Sequence, residues 1–210
     1  MFALVESGSI TKFFSGNQGI TIGDNQYPKA IFTLWTKSER EAIGIYQVEM
    51  DNSKRKDEQW YINTNVTYAF GGGKVTGSYG DSTAKKHADT LYTNQDKTDG
   101  KIPDGKDVGD VKTRGLKYNL IQTIKKQAAG ILKNTDWYVI RKADAGTAVP
   151  SKITTHREAV RTKAAEMETS ITNASDTPAL ETLYAYVNTA DEGDPVVMER
   201  PLGELPRLES

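Results

Sequence analysis

Apolar and polar positions follow two different periods along this chain, and the change of period divides it. Over residues 1–80 the repeat is close to two. FALVE and ITKFF flank Ser7-Gly8-Ser9 as strand, turn and strand. YPKAIFTLWT and IGIYQVEM read as further strands, separated by the polar, helix-favouring SEREA. In WYINTNVTYAF, Trp60, Ile62, Val66, Tyr68 and Phe70 take the even positions, while Asn63, Asn65 and Thr67 take odd ones. That alternation predicts one strand with its aromatics on one face. Gly71-Gly72-Gly73 then leads into KVTGSYG, which predicts a hairpin. The expectation is a small antiparallel sheet with one buried face.

Residues 81–112 lose this pattern. DSTAKKHADTLY fits a short helix, and NQDKTDGKIPDGKDVGD, polar and rich in Gly and Asp, reads as an exposed linker. From Leu116 the period becomes helical: Leu116, Leu120, Ile121, Ile124, Ala128, Ile131 and Leu132 recur at steps of three and four. This predicts a helix from Leu116 to about Lys133. Thr135 and Asp136 fit the N-cap and first turn of a second helix, WYVIRKAD, which Gly146 ends. Pro150 suits the first turn of a third, with Ile153, Val160, Ala164, Met167 and Ile171 as its stripe. SDTP caps a last helix whose apolar positions are Leu180, Leu183, Tyr184 and Val187. Pro195, Pro201 and Pro206 exclude a helix from the closing residues, which read as an extended arm. The predicted class is α+β: a β-rich domain over 1–80, a linker over 81–112, a helical domain over 113–190 and a tail over 191–210.

Composition narrows what such a chain does. Lys and Arg total 27 against 28 Asp and Glu, so a formal net charge of −1 gives no pull toward nucleic acid or an anionic membrane. Cysteine is absent, which removes disulfides and thiolate metal sites. No apolar run approaches the ~20 residues of a membrane span. MFALVESGS meets Glu6 and Gly8 too early for a signal peptide, so synthesis in a cytoplasm is expected. The two histidines, His87 and His156, lack a matching ligand set. GGGKVTGSYG lacks phosphate-loop spacing, and the acids of NQDKTDGKIPDGKD do not thread a calcium loop. No catalytic residue, metal or cofactor is signalled, and an enzyme, such as a hydrolase acting on surface polymers, has no paired acids at a recognisable spacing to support it.

The richest stretch is TDWYVIRKADAGTAVPSKITTHREAVR, residues 135–161. Arg157 and Arg161 stand four apart on one helix face and can reach Asp136, Asp144 or Glu158, so a helical corner built around Trp137 is the expected role. The same residues carry a resemblance. A helix, then TDWYV, an Arg, a Gly, a Pro-led helix and HREAVR resembles the C-terminal segment of tailed-phage tail-fibre and tail-fibre-assembly proteins. The matching positions are Thr135, Asp136, Trp137, Arg141, Pro150, Arg157 and Arg161. DGKIPDGKDVGDVKTRGLK, KQAAGILKNTDWYVIRKAD, PLGELP and the opening MFALVESGSITKFF with YPKAIF are similar to virion proteins of marine, cyanophage-type phages. The resemblance implies a non-enzymatic structural part of a virion tail, in the fibre, baseplate or adaptor region. It also implies other phage structural proteins and copies of itself as partners. The alternative it implies is a tail-fibre assembly chaperone that does not stay in the particle. Trp137, Arg141, Arg157, Arg161, Ile131 and Met167 are the expected partner-binding residues, with Ile124 and Val160 as further docking candidates wherever the monomer leaves them exposed.

Overall fold

The computed structural model describes residues 1–208, with a β-rich N-terminal region followed by a helical stretch. The chain forms two compact units, Met1–Thr83 and the remainder from Ala84.

The first unit begins with β1 (Phe2–Glu6) and β2 (Ser9–Phe14), joined through Ser7 and Gly8 at φ 49° and 79°. A second hairpin, β3 (Ile20–Ile22) with β4 (Asn25–Tyr27), precedes a single 3-10 turn at Lys29–Phe32 and the helix α1 (Lys37–Ala42). The sequence pattern predicts a strand over this 3-10 turn. Pro28 instead starts the turn, and Ile31 and Phe32 point inward from it. Thr36 and Glu39 close a reciprocal capping box on α1. The chain then runs through β5 (Ile45–Asp51), β6 (Tyr61–Ile62), β7 (Thr67–Gly71) and β8 (Lys74–Ser78). The strand predicted from Trp60 to Phe70 is therefore broken. Asn65 takes a left-handed φ of 59°, and the Asn63 side chain bonds both the N–H and the carbonyl of Lys56. The Gly71 hairpin forms as predicted, with Gly72 and Gly73 both at positive φ and Gly71 paired to Lys74.

The main sheet runs β2-β1-β5-β8-β7, antiparallel except for the parallel pair β5 and β8. Cross-strand partners share a face. One face carries Leu4 and Ile45, which pack with Ile20, Ile31 and Phe32 into a core fringed by Phe2, Phe14 and Trp35. The other face carries Ala3, Phe13, Tyr46, Val75, Phe70, Gly77 and Tyr68. It curls on itself, so that Phe13 of β2 meets Tyr68 of β7 with ring centroids 4.7 Å apart. Both faces therefore hold buried side chains, where the sequence pattern predicts one. Ala3 and Val75 are fully buried at its centre, while Phe13, Met50 and Tyr68 lie open at one end.

β9 (Thr83–Ala84) leads into the second unit. The stretch expected to be a linker is ordered, and DSTAKKHADTLY is not a helix. β10 (Thr90–Leu91) pairs with β11 (Val111–Thr113), and α2 (Asn94–Thr98) lies between them. Asp96, nearly buried, takes hydrogen bonds from Lys112 Nζ at 2.5 Å and from the N–H and hydroxyl of Thr93 at 2.9 Å. These donors hold its carboxyl down to about 2, Lys112 foremost. Next come α3 (Leu116–Lys133), α4 (Asp136–Ala145), α5 (Ser151–Asn173) and α6 (Thr177–Tyr184). The start of α3 is satisfied by the preceding segment: Leu116 and Lys117 N–H donate to the carbonyls of Lys86 and His87, and Gly115 N–H donates to Asp89. Helices α3 and α5 pack antiparallel, tied by Lys117 Nζ to the Thr172 carbonyl at 2.7 Å and by Lys125 to Glu168 at 3.3 Å. Ile124 and Ala128 of α3 face Ile153, Val160, Ala164, Met167 and Ile171 of α5, every one buried. Helix α6 starts on Asp176, as SDTP predicts, and ends before Val187. Val187 instead belongs to β12 (Val187–Asn188), which pairs with β13 (Met198–Glu199). The non-helical tail then returns to the bundle at Leu202, which is buried and whose N–H donates to the Leu183 carbonyl.

Candidate interaction surface

Residues 132–157 form a helical corner as the sequence predicts, but it is built around Arg157 and not around Trp137, whose ring is half exposed on α4. From α5 the Arg157 Nη1 donates to the Leu132 carbonyl at 2.8 Å and to Thr135 Oγ1 at 2.7 Å, while Nη2 pairs with Asp136 at 2.9 Å. One guanidinium thus links the last turn of α3, the connecting residue and the first turn of α4. Thr135 stands at the N-cap position of α4, yet its hydroxyl donates backward to the Leu132 carbonyl and does not cap. Both Arg157 and Thr135 are buried. His156 beside them is buried too, on the packed side of α5.

Helix α4 leaves this anchored corner and ends at Gly146, whose φ of 68° is the left-handed stop expected there. None of its ten residues is buried. Trp137 is 50% exposed, Val139 44% and Ile140 66%. The Trp137 and Tyr138 rings lie 3.9 Å apart, and the Arg141 guanidinium sits over them at 4.6 and 5.4 Å. Arg141 Nε is shielded from solvent without a hydrogen-bond partner. A second apolar patch lies on the β12–β13 hairpin, where Tyr186, Val187, Val196, Val197 and Met198 are exposed.

The expected partner-binding residues separate into three groups. Trp137, exposed, and Arg141, half-buried, come together on α4. Arg161 is exposed on α5, and Ile131 is half-buried beside a shallow groove with Gly130, Asn134 and Leu205. Arg157 and Met167 are corrections: the first is engaged inside the corner, and the second is 1% exposed in the α3–α5 core. Ile124 and Val160 are core residues as well, so of the helical docking positions only Ile131 reaches the surface. The pattern passed over Val139 and Ile140. Their signal was present, because four consecutive apolar residues, WYVI, span more than one helix face and cannot all turn inward.

The perturbed carboxylates elsewhere are explained by local structure: Asp89 by the Gly115 N–H and then Arg114, Glu39 by the Thr36 cap. Among the described residues no group of three His, Asp or Glu side chains is placed to hold a metal ion, and no helix is long and apolar enough to cross a membrane. No family model, curated protein or solved structure matches this chain.

Proposed function

We propose that this protein is a non-enzymatic assembly component that docks onto other protein chains through α4. The tail of a tailed-phage virion, at the fibre, baseplate or adaptor region, is the setting that the sequence resemblance supplies. The observation that carries the docking role is that α4 buries none of its ten residues yet presents Trp137, Val139 and Ile140. Isolated helices of that length are marginal in water, and contiguous exposed apolar side chains mark interaction surfaces. Trp, Tyr and Arg together are also the residue types that dominate binding energy at interfaces. The expected partners are other phage structural proteins and further copies of this chain; a near-neutral net charge offers no attraction to nucleic acid.

Quantitative mass spectrometry of purified virions tests the proposal. A copy number in simple symmetric ratio to the major tail proteins supports a structural part. Absence from particles, with abundance in infected cells, would move the reading to a tail-fibre assembly chaperone. A Trp137→Ala, Ile140→Asp chain retained at the wild-type copy number would remove α4 as the docking surface.

A further inference from the structure

Arg200, Pro201, Leu202 and Gly203 close on themselves as a knob that α5 and α6 hold by few contacts. The Gly203 N–H donates to the Arg200 carbonyl at 2.8 Å, and Arg200 Nε donates to the Gly203 carbonyl at 2.9 Å. Pro in the second place of such a turn and Gly in the fourth are the favoured residues, so the sequence itself specifies the knob. Its tip, Leu202, is 2% exposed, and the Leu202 N–H donates to the Leu183 carbonyl at 3.0 Å, where α6 ends. The Arg200 guanidinium stands over the Tyr184 ring at 5.6 Å, and a Cβ on Gly203 would stand 2.7 Å from Lys163 Nζ of α5. The tether back to α6 is loose. None of residues 185–199 is buried, and the β12–β13 ladder consists of Val187 with Glu199 and Asn188 with Met198. Extended at about 3.3 Å per residue, 185–199 would reach roughly 50 Å. That exceeds the whole of α5, about 35 Å long.

We propose that the Arg200–Gly203 knob is exchangeable: its seat on α5 and α6 takes the same knob from a second copy, so that neighbouring chains link by reciprocal strap exchange. The structure supplies the occupant. The seat is filled here by the chain's own knob, and a knob from another copy would make the same buried Leu202 contact and the same bond to the Leu183 carbonyl. The two bonds that shape the knob lie within it and travel with it, so what the exchange gives up is the short β12–β13 ladder. Within one chain the tether holds the knob at an effective concentration on the order of millimolar, so exchange belongs to copies crowded in an assembly and not to dilute solution. The inference stands on the tail alone and is independent of α4.

The test uses the full chain and a fluorescein-labelled peptide of residues 199–208. Leu202→Asp empties the seat, and the folded variant should bind the peptide about tenfold or more tightly than wild type, whose own knob competes. A peptide that itself carries Leu202→Asp should bind neither chain. Held at about millimolar concentration, wild type should sediment partly as a dimer, and Leu202→Asp should stay monomeric. Adding Trp137→Ala, Ile140→Asp to the Leu202→Asp chain should leave peptide binding unchanged, which separates this contact from the docking role of α4. Far-UV ellipticity checks that the variants are folded. If Leu202→Asp does not fold, hydrogen exchange of wild type decides: the Leu202 amide should exchange about tenfold or more faster than that of Val160 in the α5 core. Equal rates would show that the knob leaves its seat only when the unit unfolds, and would overturn the proposal. A folded Leu202→Asp chain that ignores the peptide, peptide binding indifferent to Leu202, or a wild type still monomeric at millimolar concentration would overturn it too.

Discussion

Replacing Arg157 with alanine takes away a side chain that ties α3, α4 and α5 together. Its bond to Thr135 Oγ1 is buried and its bond to the Leu132 carbonyl partly so. Hydrogen bonds from a charged donor contribute about 1.5–3 kcal/mol each. The lower end applies here, because the Leu132 carbonyl keeps the Thr135 N–H and hydroxyl as donors, both at 3.0 Å. Asp136 is half exposed and is rehydrated when the cation leaves, so that ion pair adds only about 0–1 kcal/mol. The expected loss is about 3 kcal/mol, roughly a hundredfold in the unfolding equilibrium. Urea unfolding followed by far-UV ellipticity, to which the helical unit contributes most, reads it directly. Arg157→Lys keeps the charge but loses the fork and should recover only part of the loss. Thr135→Val should cost about 1–2 kcal/mol alone and far less once Arg157 is gone. A loss below about 1 kcal/mol for Arg157→Ala, or full additivity with Thr135→Val, would refute the claim that one guanidinium organises the corner.

Two further predictions follow from the linker stretch. The Asp96 carboxyl, held to about 2 by Lys112 and Thr93, lies below its ordinary 3.8. Its contribution to stability is therefore complete above pH 3.8 and is lost as pH falls toward 2. A carboxyl titration by NMR should place the midpoint near 2, and a midpoint near 4 would show that the Lys112 bond does not persist in solution. Gly115→Ala should destabilise the second unit by about 2 kcal/mol or more, because a Cβ there would overlap the backbone of Ala88 and the His87 carbonyl. Its φ of −84° is ordinary for any residue, so the effect is steric; a melting temperature equal to wild type would show that the 86–89 segment does not seat on α3.

What was legible in the sequence was what is decided locally. Ser7-Gly8 and Gly72-Gly73 specify their hairpins through positive φ, and the α3 and α5 stripes marked their buried faces correctly. The order within 81–112 was not legible, because it depends on pairings far apart in the chain: Asp96 with Lys112, Asp89 with Gly115, and the Thr177 hydroxyl with the Lys85 carbonyl. A stretch dense in Gly and Asp looks the same whether such tethers exist or not. Asn63 and Asn65 broke a convincing period of two for a related reason: an asparagine serves alternation and a backbone turn equally well. At the corner, the sequence offered Asp136, Asp144 and Glu158 as partners for Arg157, and only packing selects Asp136. The same packing decides that Met167 is core and that Ile140 is surface.

The parallel pairing of β5 with β8 has a kinetic consequence. The β1–β2 and β7–β8 hairpins close over two residues each, on the microsecond scale of such elements. Val48 must find Val75 across a long excursion that includes β6 and β7, and that closure is entropically slow. The first unit is therefore expected to fold by joining two ready-made hairpins through β5, which must pair with β1 as well as with β8 across a long stretch of chain. A Val75→Ala chain should refold more slowly in proportion to its lost stability, whereas a change confined to its unfolding rate would place the β5–β8 pairing after the barrier.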